Sequence, residues 1–325
     1  MIVVTGGAGF IGSNLVAALA ERGTPPLVCD VLGSGEKWRN LAKHEIADIV
    51  APDDLPARLE SEPATTIVHL GANSSTTERN ADRIVDQNFR YSLKLWNWCA
   101  ANDARFIYAS SAATYGDGAA GFADDDSVAG LAALRPLNLY GWSKHLFDRR
   151  LARRVADGAA RPRQWVGLKL FNVFGPNEYH KGPMRSVALQ AFEQLRRGAA
   201  VELFKSHRPD VDHGGQRRDF IYVRDCVEVI LWLLDSPQVS GIFNLGTGVA
   251  RSFADLAAAA CRALDREVEI AYVDMPEDLR DRYQYLTRAE MRRLRGAGYE
   301  GGFTPLEEGV ADYFQSYLMR DDPYR

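Results

Sequence analysis

The chain predicts an α/β fold, a doubly wound parallel sheet with a smaller mixed C-terminal domain, and three observations carry that prediction. An apolar run, Ile2-Val3-Val4-Thr5, gives way to a glycine cluster and then to a helical pattern marked by Leu15 and Leu19. A second apolar run, Leu27-Val28-Cys29, closes on an acid, Asp30, about twenty residues beyond the glycines. Short apolar runs then keep alternating with stretches of helical period, which is the pattern of strand-helix-strand units and so of parallel strands.

The glycine turn comes first. Its strand ends at Thr5, and the helix that follows presents free amide groups and a positive dipole end to the turn, which makes a phosphate site. Gly7, Gly9 and Gly12 fit the frame G-x-G-x-x-G, and Gly6, Gly9 and Gly12 fit the wider G-x-x-G-x-x-G frame equally well. With a strand before, a helix after and Asp30 at the spacing of a ribose contact, the turn points to a nicotinamide dinucleotide held in Rossmann fashion. Gly33-Ser34-Gly35 next opens a polar loop with Lys37 and Arg39 near the expected ribose. Two readings fit these cations equally, a contact to a 2′-phosphate and ordinary solvated loop charge.

Ile46-Ala47-Asp48-Ile49 reads as a short strand, and Thr66-Ile67-Val68-His69-Leu70 as a clearer one that ends in Gly71-Ala72-Asn73-Ser74. Such a strand end faces the ligand crevice of a doubly wound sheet. His69, inside an apolar run, reads as a satisfied core histidine. A helix from about Ala81 to Ala101 carries Asn88, and the strand Arg105-Phe106-Ile107-Tyr108-Ala109 ends in Ser110-Ser111, small hydroxyl residues placed to touch a ligand. The stretch from Asp117 to Ala133 reads as loop, with Asp124-Asp125-Asp126 as a solvated surface. Pro136 then leads into a helix carrying Tyr140, Lys144, Phe147 and Leu151.

After the strand Trp165–Phe171 the alternation stops, at Asn172-Val173-Phe174-Gly175-Pro176. One helix near Ser186–Arg197 and a polar loop from Ser206 to Arg218 fill the next stretch. Strand-like runs return at Phe220–Val223 and Ile242–Leu245, with a helix from Asp225 to Leu234 between them. Thr287-x-x-Glu290 and Thr304-Pro305-x-Glu307 read as capping boxes that open two closing helices. The expected division is a dinucleotide-binding domain of residues 1–173 and 220–250, and a substrate-binding domain of residues 174–219 and 251–325.

Composition sets the outer limits. A formal charge of -4 and a sequence pI near 5.9 offer no bulk attraction to nucleic acid or anionic lipid. No apolar run approaches the roughly eighteen residues of a membrane span, and the chain starts directly on a strand, so the expectation is a cytoplasmic protein. Cys29, Cys99, Cys226 and Cys261 are far apart in apolar patterns and read as reduced core residues. His207, Asp210, Asp212 and His213 sit in a loop with no element to fix metal ligands; the loop's expected task is to present Arg217 and Arg218 to a pyrophosphate.

Tyr140 and Lys144 stand four apart at a helix start and project from one face. A phenol is a poor base at neutral pH, but a close ammonium and an oxidised nicotinamide would lower its pKa. It would then take a hydroxyl proton while the carbon gives hydride to the cofactor. Ser111, from a separate strand end, would hold that oxygen. Any one of these signals alone is a common accident, and it is their joint order behind the glycine turn that points to chemistry.

Together these residues resemble the extended short-chain dehydrogenase/reductases, the group of nucleotide-sugar epimerases and dehydratases. A narrower resemblance runs over essentially the whole length, to the members that epimerise ADP-linked heptoses at C6. It rests on Ser110-Ser111-Ala112-Ala113-Thr114-Tyr115-Gly116, Pro136-Leu137-Asn138-Leu139-Tyr140-Gly141-Trp142-Ser143-Lys144, His180-Lys181-Gly182-Pro183-Met184, Arg218-Asp219-Phe220 and Arg282-Tyr283-Gln284. The resemblance implies that Tyr140 and Lys181 are the two acid/base groups, with Lys144 tuning Tyr140 and binding cofactor beside Ser111. It implies a dinucleotide site of Gly6, Gly9, Phe10, Ile11, Gly12, Asp30, Val31, Lys37, Leu70, Gly71, Ala72, Asn73, Ser74, Asn88 and Val173, in addition to the catalytic residues. For the sugar nucleotide it implies Ser111, Asn172, Pro183, Gln190, Phe204, Lys205, Ser206, Arg218 and Tyr283. It also implies NADP, with NAD as the alternative, a homo-oligomer (a pentamer), and a product used in the lipopolysaccharide inner core. Leu70, Asn73 and Pro183 depart from the pattern.

Residue chemistry makes sense of a second base. Inverting a secondary carbinol through a ketone requires hydride to leave one face and return to the other, so one rigid base cannot serve both poses of the sugar. A lysine fills the second role if burial or nearby cations lower its pKa. Two other readings stay open, a UDP-sugar 4-epimerase on the same scaffold and a non-catalytic dinucleotide-binding regulator. The intact Ser111, Tyr140, Lys144 set argues against the regulator.

Overall fold

An apolar strand buried on both faces belongs in the middle of a parallel sheet, and β1 (Ile2–Thr5) lies there. The computed structural model describes residues 1–280 and 283–325. From β1 the glycines turn into α1 (Phe10–Glu21), and the chain returns as β2 (Leu27–Cys29) and, at the sheet edge, β3 (Asp48–Val50). α2 (Leu55–Ser61) then crosses to β4 (Thr66–His69) on the other side of β1. A helical run follows: α3 (Ala81–Ile84), a π turn at Val85–Arg90, and α4 (Tyr91–Ala101). β5 (Arg105–Ser111), α5 (Val128–Ala133), α6 (Leu139–Ala156) and β6 (Gln164–Leu170) extend the sheet. Then come β7 (Asn172–Phe174), α7 (Val187–Arg196), β8 (Val201–Phe204), β9 (Arg217–Tyr222), α8 (Val223–Asp235) and β10 (Gly241–Leu245). β11 (Ala250–Ser252), α9 (Phe253–Ala263), β12 (Ile270–Val273), α10 (Glu277–Arg280), α11 (Arg292–Gly296) and α12 (Leu306–Tyr313) complete it.

The main sheet runs β3-β2-β1-β4-β5-β6-β10, with every pair parallel. Strand order reverses between β1 and β4, so a crevice opens beyond their carboxyl ends, beside the glycine turn. β9 does not join this sheet. It pairs in parallel with β7 and antiparallel with β11, while β8 pairs with β12 in a separate two-stranded sheet. Of the two strand-like runs after residue 219, therefore, β10 alone returns to the main sheet.

Several local expectations are corrected. The third strand starts at Asp48, because Ile46 packs inward and the ladder to β2 begins two residues later. The stretch expected as loop contains α5, capped by Ser127, whose side chain accepts from Gly130 N. Asp124 and Asp126 are no solvated run: Asp124 is 3% exposed and accepts from Asn244 N, while Asp126 pairs with Arg293 at 2.8 Å. These acids fasten their segment to the edge strand β10. Neither expected capping box forms. Thr287 donates toward Asn172 Oδ1, and Thr304 donates to Asp225 from both its backbone and its hydroxyl. Tertiary partners outcompete the local cap, and Pro305 precedes α12 instead of opening it. A capping box does form at Ser252 and Asp255, at the start of α9.

His69 meets its expectation, since its two ring nitrogens lie 2.6 Å from Thr5 Oγ1 and 2.8 Å from Ser92 Oγ. The four cysteines are buried and free. Among the described residues no helix is long and apolar enough to cross a membrane.

One polar cluster stands inside the core. Lys169, near the carboxyl end of the apolar strand β6, is fully buried and donates to Asp148 Oδ2 at 2.7 Å and to Thr114 Oγ1 at 2.8 Å. The Asp148 carboxylate also accepts from Tyr108 at 2.9 Å and Ser110 at 2.7 Å. Removing one partner of a buried pair leaves an uncompensated charge, at a cost of about 3–5 kcal/mol. Asp148→Ala is therefore expected to lower unfolding stability by about that much in a urea titration. The joint replacement of Asp148 and Lys169 by apolar residues is expected to cost less than the single change.

Candidate active site

The two possible glycine frames are separated by backbone geometry. Gly6 has φ of 68°, in the left-handed region, and a Cβ on it would stand 2.6 Å from Gly71 Cα. A Cβ on Gly12 would lie 2.0 Å from Gly6 O, so α1 packs on the turn only without a side chain there. Gly6, Gly9 and Gly12 all face one cavity of about 350 Å3, whereas Gly7 packs against Val28 behind it. The wider frame is the one in use.

That cavity joins the two sets of residues the sequence singled out. Phe10, Ile11, Asp30, Lys37, Leu70, Gly71, Ala72 and Ser74 line it with the glycines. Ser111, Tyr140, Lys144, Val173 and Lys181 line the same cavity. The Asp30 carboxylate accepts from Ala8 N at 2.9 Å, Val31 N at 2.7 Å and Lys37 Nζ at 2.6 Å. Asp30 is thus bound to the glycine turn and neutralised by Lys37. Arg39 turns elsewhere, onto the Tyr324 ring and toward Glu36. Open amides at a helix start, a left-handed glycine and an acid past β2 are a donor set that fits a dinucleotide.

Three predicted contacts stand off this cavity. Val31 and Asn73 line a neighbouring hollow with Asp30 and Lys37. Asn88 is 1% exposed and acts as a bracket: Oδ1 accepts from Asn73 N, and Nδ2 donates to Asn73 O and Ser143 Oγ. The π turn carrying Asn88 thereby joins the end of β4 to the helix of Tyr140, as widened turns often do at functional sites.

α6 starts at an Asn138 cap, whose side chain accepts from Gly141 N. Lys144 Nζ donates to Ala109 O on β5 at 2.9 Å, and burial pulls the Lys144 ammonium down to about 8 while Asp148 opposes that shift. Burial raises the Tyr140 phenol, and a hydrogen bond with Ser111 opposes it. The expected lowering of Tyr140 is therefore not supplied by the chain's own groups. Lys181 lies 5.0 Å from the centre of the Phe10 ring; burial lowers its pKa and Glu178 raises it.

A second cavity, of about 480 Å3, adjoins at Asn172, with Gln190, Phe204, Arg218 and Tyr283 in its wall. Arg218 is buried on β9 with its guanidinium between the Phe253 and Tyr283 rings, 5.4 and 5.1 Å from their centres. Arg217 points the other way and is exposed, as neighbours on a strand must. Of the two arginines expected at a pyrophosphate, one faces the cavity. Lys205 pairs with Asp274 at 3.1 Å, Ser206 N donates to His213 Nδ1, and exposed Pro183 lines neither cavity. Arg282 lies outside the described residues.

The sequence reading passed over Asp148, Lys169 and Glu178, all buried. A lysine within an apolar strand run, and an acid one helical turn beyond Lys144, were the available signals for the first two.

Fold and site together define a dinucleotide-binding scaffold of Rossmann type, whose glycine turn shares one cavity with Ser111, Tyr140, Lys144 and Lys181. The model of the NAD dependent epimerase/dehydratase family matches residues 2–246, and the chain belongs to that family. An ADP-L-glycero-D-manno-heptose-6-epimerase of Nitratidesulfovibrio vulgaris is 50% identical over 335 aligned positions, covering 100% of each chain. The crystal structure of the Helicobacter pylori ADP-L-glycero-D-manno-heptose-6-epimerase superposes with a TM-score of 0.79 at 27% identity, over 97% of this chain and 95% of that one. The Thermus thermophilus UDP-glucose 4-epimerase, a complex with NAD, superposes with a TM-score of 0.75 at 25% identity, over 97% of this chain and 98% of that one.

Burial of Lys144 has a measurable consequence. Its folded pKa, about 8, lies below the ordinary 10.5, so between those values the unfolded chain binds more protons than the folded one. Its contribution to stability is therefore expected to rise from pH 8 to 10.5 and to be least favourable below pH 8. Subtracting the pH dependence of Lys144→Met from that of the unsubstituted protein in urea titrations isolates this slope.

Proposed function

We propose that this protein epimerises ADP-D-glycero-β-D-manno-heptose at C6, giving ADP-L-glycero-β-D-manno-heptose for the lipopolysaccharide inner core, in a redox-neutral reaction on a bound nicotinamide dinucleotide. One observation carries the reading: Tyr140 from α6 and Lys181 from the turn after β7 line the same cavity as the glycine turn. Two proton carriers on separate elements suit a sugar that must be met in two orientations. Full-length likeness to relatives named for this reaction supports the substrate.

The chemistry a bound nicotinamide supplies is reversible hydride transfer at C6. Ser111 and Tyr140 would hold the C6 oxygen, and either Tyr140 or Lys181 takes its proton. The other group returns a proton to that oxygen once the sugar has turned. Lys144, fixed on Ala109 O, places a cation beside the site and holds the start of α6. Arg218 and its two flanking rings offer a planar cation and aromatic faces to the ADP portion. Asn172 and Gln190 add polar wall.

For the dinucleotide we infer NADP. Lys37 pairs with Asp30 at 2.6 Å, and Asp30 also accepts from Ala8 N, so the acid after β2 does not stand uncompensated against a 2′-phosphate. Lys37→Met is expected to weaken NADP binding about tenfold while NAD binding changes little, as read by equilibrium dialysis. Loss of both to the same degree assigns Lys37 to the fold.

The first experiment is incubation of the purified protein with the D-glycero sugar nucleotide, without added reductant, followed by proton NMR of the C6 position. The expected result is a stable mixture of both epimers. Untouched ADP-heptose with dinucleotide bound would overturn the substrate and direct the search to UDP- and GDP-sugars. Tyr140→Phe is expected to lower kcat about 10³-fold with dinucleotide still bound.

A further inference from the structure

The turn that carries Lys181 is held by a residue to which the reaction as described gives no part. Glu178 is 0% exposed, three residues before Lys181. Its carboxylate accepts from Gly175 N at 3.4 Å, from Ser186 Oγ at 2.6 Å and from Ser186 N. Gly175 follows β7, and Ser186 is the cap of α7, accepting in turn from Leu189 N. Both ends of the segment from 175 to 186 therefore meet on one carboxylate. The same residue's carbonyl accepts from Lys181 N at 3.1 Å, closing the turn that bears the ammonium. Burial pushes the Glu178 carboxyl up, and the Lys181 ammonium and the donors from Ser186 and Gly175 oppose that by favouring the ionised form. The carboxylate is buried, so its charge acts on its neighbours through a medium less screening than water.

We propose that Glu178 is a positioning residue for the second proton carrier: its buried carboxylate, three residues before Lys181, clamps the 175–186 segment in place and, in its ionised form, sets the proton affinity of the Lys181 ammonium. The proposal rests on the assignment of Lys181 as an acid/base group. Burial alone draws the Lys181 ammonium down, and Glu178 opposes that. The other groups around them are accounted for. His180, adjacent in the chain, is drawn down to about 4 by burial and by Lys37 and Lys181, and so is neutral at working pH. Lys37 is paired with Asp30, Phe10 offers a ring, and Tyr140 stands in the wall of the same cavity. Against Glu178 itself stand Tyr179 and Tyr313, whose phenols burial pushes up and keeps neutral. Glu178 is thus a buried acid in the turn of Lys181, joined to it through the Lys181 N to Glu178 O hydrogen bond.

The test compares the unsubstituted protein with Glu178→Gln and Lys181→Met. Glutamine keeps an acceptor oxygen for Ser186 and removes the charge. The limb of the kcat/KM against pH profile that belongs to Lys181 is expected to move about one pH unit toward acid in Glu178→Gln, and to vanish in Lys181→Met. Acylation of Lys181 by an amine reagent, followed by peptide mass spectrometry across the same pH range, is expected to show the same downward shift without turnover. An unmoved acylation midpoint overturns the role of Glu178. Full activity of Lys181→Met overturns the assignment of Lys181 instead, and the acylation midpoint still decides whether Glu178 sets its proton affinity. If the glutamine variant does not fold, Ser186→Ala carries the test. It frees carboxylate oxygen without changing charge, so the midpoint should stay and kcat should fall several-fold; an unchanged kcat overturns the clamp.

Discussion

Asp148 is the group on which the wall bearing Ser111, Tyr140 and Lys144 depends. Its carboxylate accepts from Tyr108 and Ser110 on β5 and from Lys169 on β6, while its own backbone belongs to α6. A buried ion pair is a poor source of net stability, because both ions give up water. What it provides here is angle and register. Once α6 is tied to two strands at Asp148, Lys144 one turn earlier comes against Ala109 O, and Tyr140 one turn before that faces the cavity beside Ser111. The hydroxyls of Ser110 and Thr114 complete the cluster, so the ends of β5 and the following turn are held by the same charge.

The opposite wall is built from backbone rather than charge. Gly6 and Gly12 let β1, α1 and the end of β4 approach closer than any side chain allows, and the reversal of strand order puts the crevice there. Asn40 then connects this wall to the Lys181 turn: its Nδ2 donates to Ala8 O and Asn177 O and approaches His180 Nδ1. The end of the described chain adds to the same joint. Tyr179 donates to Pro323 O, Lys43 to Tyr324 O, and Arg325 N to Asn177 Oδ1. Lys181 is therefore positioned by three distant stretches of chain, in contrast to Tyr140, which one helix and its anchor position.

Separate anchors for Tyr140 and Lys181 match the geometry that the proposed inversion demands. A pair fixed on one helix would meet the substrate from one direction, whereas α6 and the turn after β7 approach the same cavity from different parts of the fold. The second cavity, around Arg218, is walled by α7 and the small strands, and the cation there is held in shape by two rings and by Arg217 O.

Strand-helix alternation, the glycine turn, Asp30 and the Tyr140–Lys144 spacing were legible because each is local: period, turn chemistry and a four-residue helical offset are written in consecutive residues. The parallel main sheet and the approach of Ser111 to Tyr140 followed from that pattern. What the tertiary structure decided was where long-range partners outbid local ones. Thr287 and Thr304 had cap-like neighbours but found Asn172 and Asp225; Asp124 and Asp126 looked solvated but seal β10. β9 had the apolar content of a main-sheet strand, yet pairing with β7 and β11 was available only once the chain had left the sheet at Phe171. The choice between overlapping glycine frames rested on the distance from Gly6 to Gly71, and the depth of Glu178 on the fold around the Lys181 turn. These are distances between residues far apart in the chain, and composition, spacing and periodicity carry no record of them.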